Sequence, residues 1–457
     1  MDYKQKYLKY KQKYLRLLKD QKGGQPFLMD ILAGPVFSYL FERNQRLLQL
    51  IYTGKQPVMM QPLGNFTLNH KYRLKLLGIS GLSITLARRL MEGLRNKRFQ
   101  LELVKRILSR THKLPQISPP TTAAVLTGHA VRSMAFHPTA PLLATGSGDR
   151  TVRLWLLSPD NSSATCVATL VGHGNRVSSV AFHPTAPLLA TGSKDKTVKL
   201  WKLSPDNSSA TCVATLAGHS NKVYSVAFHP TAQLLATGSK DKTVKLWRLS
   251  SDNSSATCVA TLAGHRHCVY SVVFHPTAPL LATGSRDYTV KLWKLSSDNS
   301  SATCVATLDQ SNGGHNSTVN SVAFHPTAPL LATGGYDNTV KLWLLSPDNS
   351  SATCVATLDQ SNGGHSNYVT SVVFHPTAPL LATSSRDNTV KLWLLSSSAT
   401  CVATLEGHSV RPRNPADPLW LHQALARATG GVYSVAFHPS APLLATGSGV
   451  SARLWKL

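Results

Sequence analysis

Serine, histidine and aspartate recur side by side along this chain, most compactly around "GSKDKTVKLW", which occurs at 192–201 and again at 238–247. A hydroxyl, an imidazole and a carboxylate within reach of one another are the parts of a hydrolytic triad. A nucleophile of that kind needs a strained turn and an oxyanion hole. The sequence signals neither, and a working active site has no reason to be copied six times in one chain. There is also no P-loop, no metal-ligand spacing and no paired-carboxylate motif. The sequence therefore reads as non-enzymatic, with no cofactor and no metal.

The charged decapeptide has relatives in "GSGDRTVRLW", "GSRDYTVKLW", "GGYDNTVKLW" and "SSRDNTVKLW". Each lies inside a longer repeat. "GH" occurs at His129, His173, His219, His265, His315, His365 and His408. A tryptophan follows each time, at Trp155, Trp201, Trp247, Trp293, Trp343, Trp393 and Trp455. Each of the first six units holds four short apolar runs of the type "SVAFH", "LLATGS", "TVKLW" and "CVATL", and the seventh holds the first three. Bounded by His-Pro, Asp or Ser/Asn turns, these runs are strand signals.

The pattern "GH…VxSVAFHPTAPLLATGSxDxTVKLWxLS" resembles the WD40 repeat family over 121–457, although Trp-Leu, Trp-Lys or Trp-Arg stands where the family has Trp-Asp. The resemblance implies a mainly β protein with four-stranded blades in a seven-bladed β-propeller, here preceded by a small basic α-helical region. The last unit stops after its third strand, and "TTAAVL" at 121–126 is an orphan strand. In the family such a strand completes the last blade and hides the sheet edges. The resemblance also makes His173, Thr191, Asp195 and Trp201 one hydrogen-bonded structural tetrad, and His219, Thr237, Asp241 and Trp247 another. Buried unpaired polar groups cost roughly 1–3 kcal/mol each, so the aspartates read as structure.

Comparison among the repeats separates a second set of residues. The residue before the tetrad aspartate runs Gly148, Lys194, Lys240, Arg286, Tyr336, Arg386. Two positions at the start of the first strand run Arg176, Lys222, Cys268, Thr318, Tyr368 and Arg132, Ser178, Tyr224, Tyr270, Asn320, Thr370, Tyr433. In WD40 rings these positions share the top face, where partners dock. Divergence is concentrated there, in residue types favoured at binding hot spots. Arg132, Arg176, Lys194, Lys222, Tyr224, Lys240, Tyr270, Arg286, Tyr336, Tyr368 and Arg386 are therefore the candidate partner-binding residues, with the lysines of "KDKTVK" offered for recognition.

The seventh unit departs from the rest. An insertion at 409–431 carries Trp420, a further candidate contact, within "PLWLHQALARA". "GSGVSARLW" is one residue short and lacks the aspartate. The expectation is that blade seven has a displaced His408 and no tetrad.

The whole chain carries 48 Lys+Arg against 21 Asp+Glu, formally +27. Residues 1–120 hold 23 against 6, a net +17. Such a balance selects acidic partners, either proteins or nucleic acid. Residues 1–24 form a Lys/Tyr heptad pattern expected as a basic amphipathic helix, similar to the Lys/Tyr-rich leaders of many giant DNA virus proteins. Residues 25–112 read as helical and 113–120 as a linker. Within them "LGISGLSITLARRL" at 77–90 resembles a helix-turn-helix reader of DNA, and "PFLMDILAGPVFSYL" resembles the start of an F-box, the adaptor of WD40 ubiquitin ligases. No apolar run is long enough to span a membrane and no secretory h-region opens the chain, so an intracellular place is expected. In that setting "NSS" at Asn161, Asn207, Asn253, Asn299 and Asn349 is a polar turn. Cys166, Cys212, Cys258, Cys304, Cys354 and Cys401 occupy one position of the repeat and are expected as small buried apolar residues.

Overall fold

The structure, a computed structural model, describes residues 119–395, 399–408 and 431–457. The leader, the helical region with its helix-turn-helix and F-box resemblances, most of the linker, and Trp420 lie outside the described residues. β1 (Thr121–Leu126) comes first. Six four-stranded antiparallel blades follow: β2–β5 (131–170), β6–β9 (177–216), β10–β13 (223–262), β14–β17 (269–308), β18–β21 (319–358) and β22–β25 (369–405). β26–β28 (432–456) make three strands of blade seven, and β1 pairs antiparallel with β28 as its fourth. The seven-bladed, mainly β propeller expected from the repeats is thus the observed fold.

Blade two shows why the repeat folds this way. All six residues of β7, "LLATGS", are buried. A central strand has a blade packed on each face, so alternation gives way to a continuous apolar run. Leu142, Leu154 and Leu170 of blade one meet Val177, Phe182 and Trp201 of blade two in one core cluster. Burying each such side chain contributes about 1.5–3 kcal/mol. The core is therefore a set of wedges between blades. At Gly192 an added Cβ would lie 2.9 Å from both Val223 Cγ1 and Val226 Cγ1 of the next blade, so a very small residue suits this approach; blade six carries the buried Ser384 at the same place.

Two latches tie neighbouring blades. His183 Nδ1 accepts the Thr185 and Ala186 amides, at 3.2 and 2.9 Å, and so closes the His-Pro turn. Its ring meets Phe228 of blade three edge-on at 5.0 Å. The same contact passes round the ring and returns, His438 of blade seven meeting Phe136 of blade one at 5.0 Å. The serine of "SVAF" forms the second latch: Ser179 Oγ accepts the Val226 amide at 3.1 Å, and Ser434 Oγ accepts that of Met134 at 3.1 Å. Among the described residues no helix is long and apolar enough to cross a membrane.

The "NSS" asparagines are turn residues, with φ of 55–58°. The repeated cysteines depart from expectation. Cys166, Cys212, Cys258 and Cys304 are exposed, and Cys354 and Cys401 are half-buried. They lie on the outermost strand of each blade, which has no neighbour on one side. A register shift between Leu200 and Trp201 sets Cys212 opposite the tryptophan. Its thiol donates outward to the Ala214 carbonyl, 3.5 Å away.

Candidate interaction site at the channel mouth

The tetrads hold the loops of one face. In blade two Trp201 Nε1 donates to Thr191 Oγ1 at 2.8 Å, Thr191 Oγ1 lies 2.7 Å from His173 Nε2, and His173 Nδ1 lies 2.7 Å from Asp195 Oδ2. Chemistry fixes the direction of each bond. Indole N–H can only donate and a carboxylate can only accept. The neutral imidazole therefore carries its proton on Nδ1, and the threonine hydroxyl donates to Nε2. Blade three repeats the set, with 2.9 Å from Trp247 to Thr237 and 2.7 Å from His219 to both Thr237 and Asp241. Burial opposes ionisation of Asp241, but hydrogen bonds from His219 and Thr243 win and hold the carboxyl well below its usual range. The Thr191 side chain has no exposure and its hydroxyl is engaged on both sides. This arrangement positions turns, and its hydroxyl is not presented to a substrate.

The seventh blade keeps more of this arrangement than its sequence suggests. His408 is in place: Nε2 lies 2.7 Å from Thr446 Oγ1, which accepts from Trp455 Nε1 at 2.7 Å. The insertion changes the count along the chain and not the position in space. Only the aspartate is missing, so three members of the tetrad remain.

Each tetrad aspartate fixes the turn before β4 and its counterparts, and that turn is hydrogen-bonded to the entry of the blade's first strand. Lys194 N donates to Arg176 O at 2.9 Å, Lys240 N to Lys222 O at 2.8 Å, Arg286 N to Cys268 O at 2.9 Å and Arg386 N to Tyr368 O at 2.9 Å. The variable positions are therefore neighbours. They surround a cavity of about 430 Å³, lined by Arg132, Arg176, Val177, Ser178, Lys194, Tyr224, Tyr270, Asn320, Tyr336, Thr370, Arg386 and Tyr433. A cavity that takes a side chain from every blade lies on the ring axis. No carboxylate is among its lining residues.

Seven sequence candidates line this mouth: Arg132, Arg176, Lys194, Tyr224, Tyr270, Tyr336 and Arg386. Lys222, Lys240, Arg286 and Tyr368 do not, although Tyr368 stacks on Tyr336 with ring centroids 4.3 Å apart and planes 4° apart. The lysines of "KDKTVK" divide by position. Lys194 lines the cavity. Lys196 takes the left-handed turn conformation, φ 77°, and Lys199 Nζ donates to Thr215 Oγ1 on the outer strand at 2.8 Å. Only the first of the three faces the mouth. Burial first, then the charges of Arg176, Lys222 and Arg132, pull Lys194 below the usual lysine value. Tyr433 was not among the candidates, yet the Arg132 guanidinium lies 4.1 Å above its ring and that of Arg386 5.2 Å. It belonged to the same variable series, and that was the available signal. Arg132 Nε and Ser178 Oγ are buried at the mouth without hydrogen-bond partners. Among the described residues no group of His, Cys, Asp or Glu is arranged to hold a metal ion.

The ring, its tetrads and its open mouth define a β-propeller of repeated interaction modules. The family model "WD domain, G-beta repeat" matches residues 120–155, 164–202, 210–248, 256–294, 302–343, 352–393 and 422–456, more than half of the chain. The chain belongs to the WD40 family, whose propellers serve as protein-interaction scaffolds. No curated protein matches it.

Proposed function

We propose that this chain is a non-catalytic scaffold whose channel mouth binds an acidic segment of a partner protein. The observation that carries the reading is a cavity with four cations and four tyrosines and no acid in its lining. Arg132, Arg176 and Lys194 face one another without a counter-charge. Tyr224 and Tyr270 lie 4.8 Å apart between centroids and add apolar area with polar tips. An extended acidic segment across the mouth would satisfy Arg132 Nε and relieve the repulsion. Lys222, Lys240, Arg286 and Tyr368 widen the surface at its rim. Trp420 and the basic N-terminal region, read from sequence as a leader and a helical segment, supply further contacts in this reading.

Affinity capture from the native cell tests it, using the intact chain beside a variant with Lys194, Lys240, Arg286 and Arg386 changed to Glu. Loss of specific acidic proteins with the variant is the expected result. An unchanged protein list refutes the mouth as the binding surface. The net charge of +27 favours nucleic acid as the second reading. In that case nuclease treatment empties both captures, and binding falls steeply with salt because Lys/Arg displace counterions.

A further inference from the structure

Blade seven lacks one carboxylate, and the groups that would hold it remain. His408 is 4% exposed, and its Nδ1, the atom that binds aspartate in six other blades, has no partner. Arg453 Nε is likewise buried and unpaired. Blade one shows what this pair does when an aspartate is present. There Asp149 Oδ2 lies 3.3 Å from His129 Nδ1 and 3.8 Å from Arg153 Nη2. Arg153 and Arg453 occupy the same place in their blades, each guanidinium packed over the glycine of its "GH" pair: an added Cβ would lie 3.6 Å from Arg153 at Gly128 and 3.5 Å from Arg453 at Gly407.

Two local changes leave Arg453 and His408 without partners. The turn of blade seven closes from Ser448 N to Ser451 O at 2.8 Å, whereas blade two closes from Ser193 N to Thr197 O at 3.1 Å. Val450 stands where the other blades carry the aspartate, its N bonded to Ser448 Oγ at 3.4 Å as Asp195 N is to Ser193 Oγ at 3.1 Å, and the left-handed residue that follows is the one lost. Across the strand pair, Lys199 of blade two faces Thr215 and bonds to it, but Arg453 faces Val125 of β1, which has no acceptor side chain. Glu406, two residues before His408, is exposed.

We infer that His408 Nδ1 and Arg453 Nε form a carboxylate-binding socket in blade seven that accepts an acidic group from outside the chain. An occupied socket has the chemistry of the blade-one site: one carboxylate hydrogen-bonded to an imidazole and ion-paired with a guanidinium. In the free protein, burial, and then the charge of Arg453, lowers His408 to about 4. A bound carboxylate opposes both effects. The inference is independent of the channel-mouth reading, because it uses neither the cavity nor its residues.

The test uses the intact chain and acetate as the probe, against chloride at equal ionic strength, read by thermal melting and by ¹³C-labelled histidine NMR. Acetate at ten times its dissociation constant multiplies the folded-to-unfolded ratio roughly elevenfold, and it moves one histidine resonance. Arg453→Lys, which carries the residue of five other blades, weakens that binding at least roughly tenfold. Insertion of an aspartate between Gly449 and Val450 raises the melting temperature and abolishes the acetate response. A short aspartyl peptide that reproduces the response identifies a protein side chain as the source; a response to acetate alone identifies a small organic acid. The inference is overturned if acetate acts no differently from chloride, or if Arg453→Lys leaves the response intact. It is also overturned if only Asp417→Asn responds, since the chain then fills its own socket.

Discussion

Asp241→Ala should destabilise the ring far more than Asp149→Ala, although both remove a tetrad aspartate. Asp241 Oδ2 accepts from His219 Nδ1 at 2.7 Å and from Ser220 N at 3.1 Å, and Oδ1 accepts from Thr243 N at 3.0 Å and Thr243 Oγ1 at 2.6 Å. Its side chain is 9% exposed. Truncation strands a buried imidazole N–H and two backbone amides. Charged hydrogen bonds contribute about 1.5–3 kcal/mol each, and breaking a buried pair costs about 3–5 kcal/mol in total. Asp149 keeps the two bonds from Thr151, at 2.9 and 2.7 Å, but it is 39% exposed and its contact with His129 is stretched to 3.3 Å. Solvent screening leaves a loss there of about 1 kcal/mol or less. The assay is thermal melting of the two variants beside the parent at pH 7. The sign with pH is also fixed. The folded carboxyl of Asp241 is held below 3.8, so its contribution is complete above that pH and fades as the pH falls through the lower folded value. Equal melting temperatures for the two variants, or a larger drop for Asp149→Ala, would refute the reasoning that burial and the histidine contact set the worth of each tetrad.

His408, lowered to about 4 mainly by burial, binds its proton more weakly folded than unfolded, so stability falls as pH drops from 6.5 toward 4. His408→Gln should remove on the order of 2–3 kcal/mol of that acid sensitivity, read as the difference in melting temperature between pH 7 and pH 4.5. Gly334→Ala places a Cβ 2.5 Å from Val369 Cγ1 of the next blade. Overpacking of that kind costs about 1–3 kcal/mol, and denaturant titration should show it. Deletion of 121–126 removes the strand paired with β28 and bares its edge. The deleted protein should melt lower and form larger particles by light scattering.

The fold was legible because each strand announces itself and the period repeats it. "LLATGS" is a buried central strand wherever it occurs, and the "TTAAVL" orphan could be assigned to blade seven from the missing strand together with the closure that the family resemblance implies. The cysteines were misjudged because residue type favours burial, while the outermost strand of a blade offers little to be buried against. The bulge beside Trp201 also breaks the alternation that would have placed Cys212 correctly. His408 was misjudged because spacing along the chain was taken for position in space. The lysines of "KDKTVK" could not be separated without the turn: Lys196 lies in a left-handed conformation and Lys199 faces Thr215 across the sheet.

The residue before each tetrad aspartate bears most directly on what the mouth is for. Its backbone makes the same hydrogen bond whether the side chain is Gly148, Lys194, Arg286 or Tyr336, at 2.8–3.0 Å. Folding therefore places no demand on the side chain. A cation there works against the fold, since Lys194 is partly desolvated and repelled by Arg176, Lys222 and Arg132. Glycine in blade one shows that the turn closes without a cation. In the proposed reading, the opposite charge that answers this unneeded cation is the partner's. The same logic applies to His408 and Arg453, where the fold has kept the donors and dropped the acceptor.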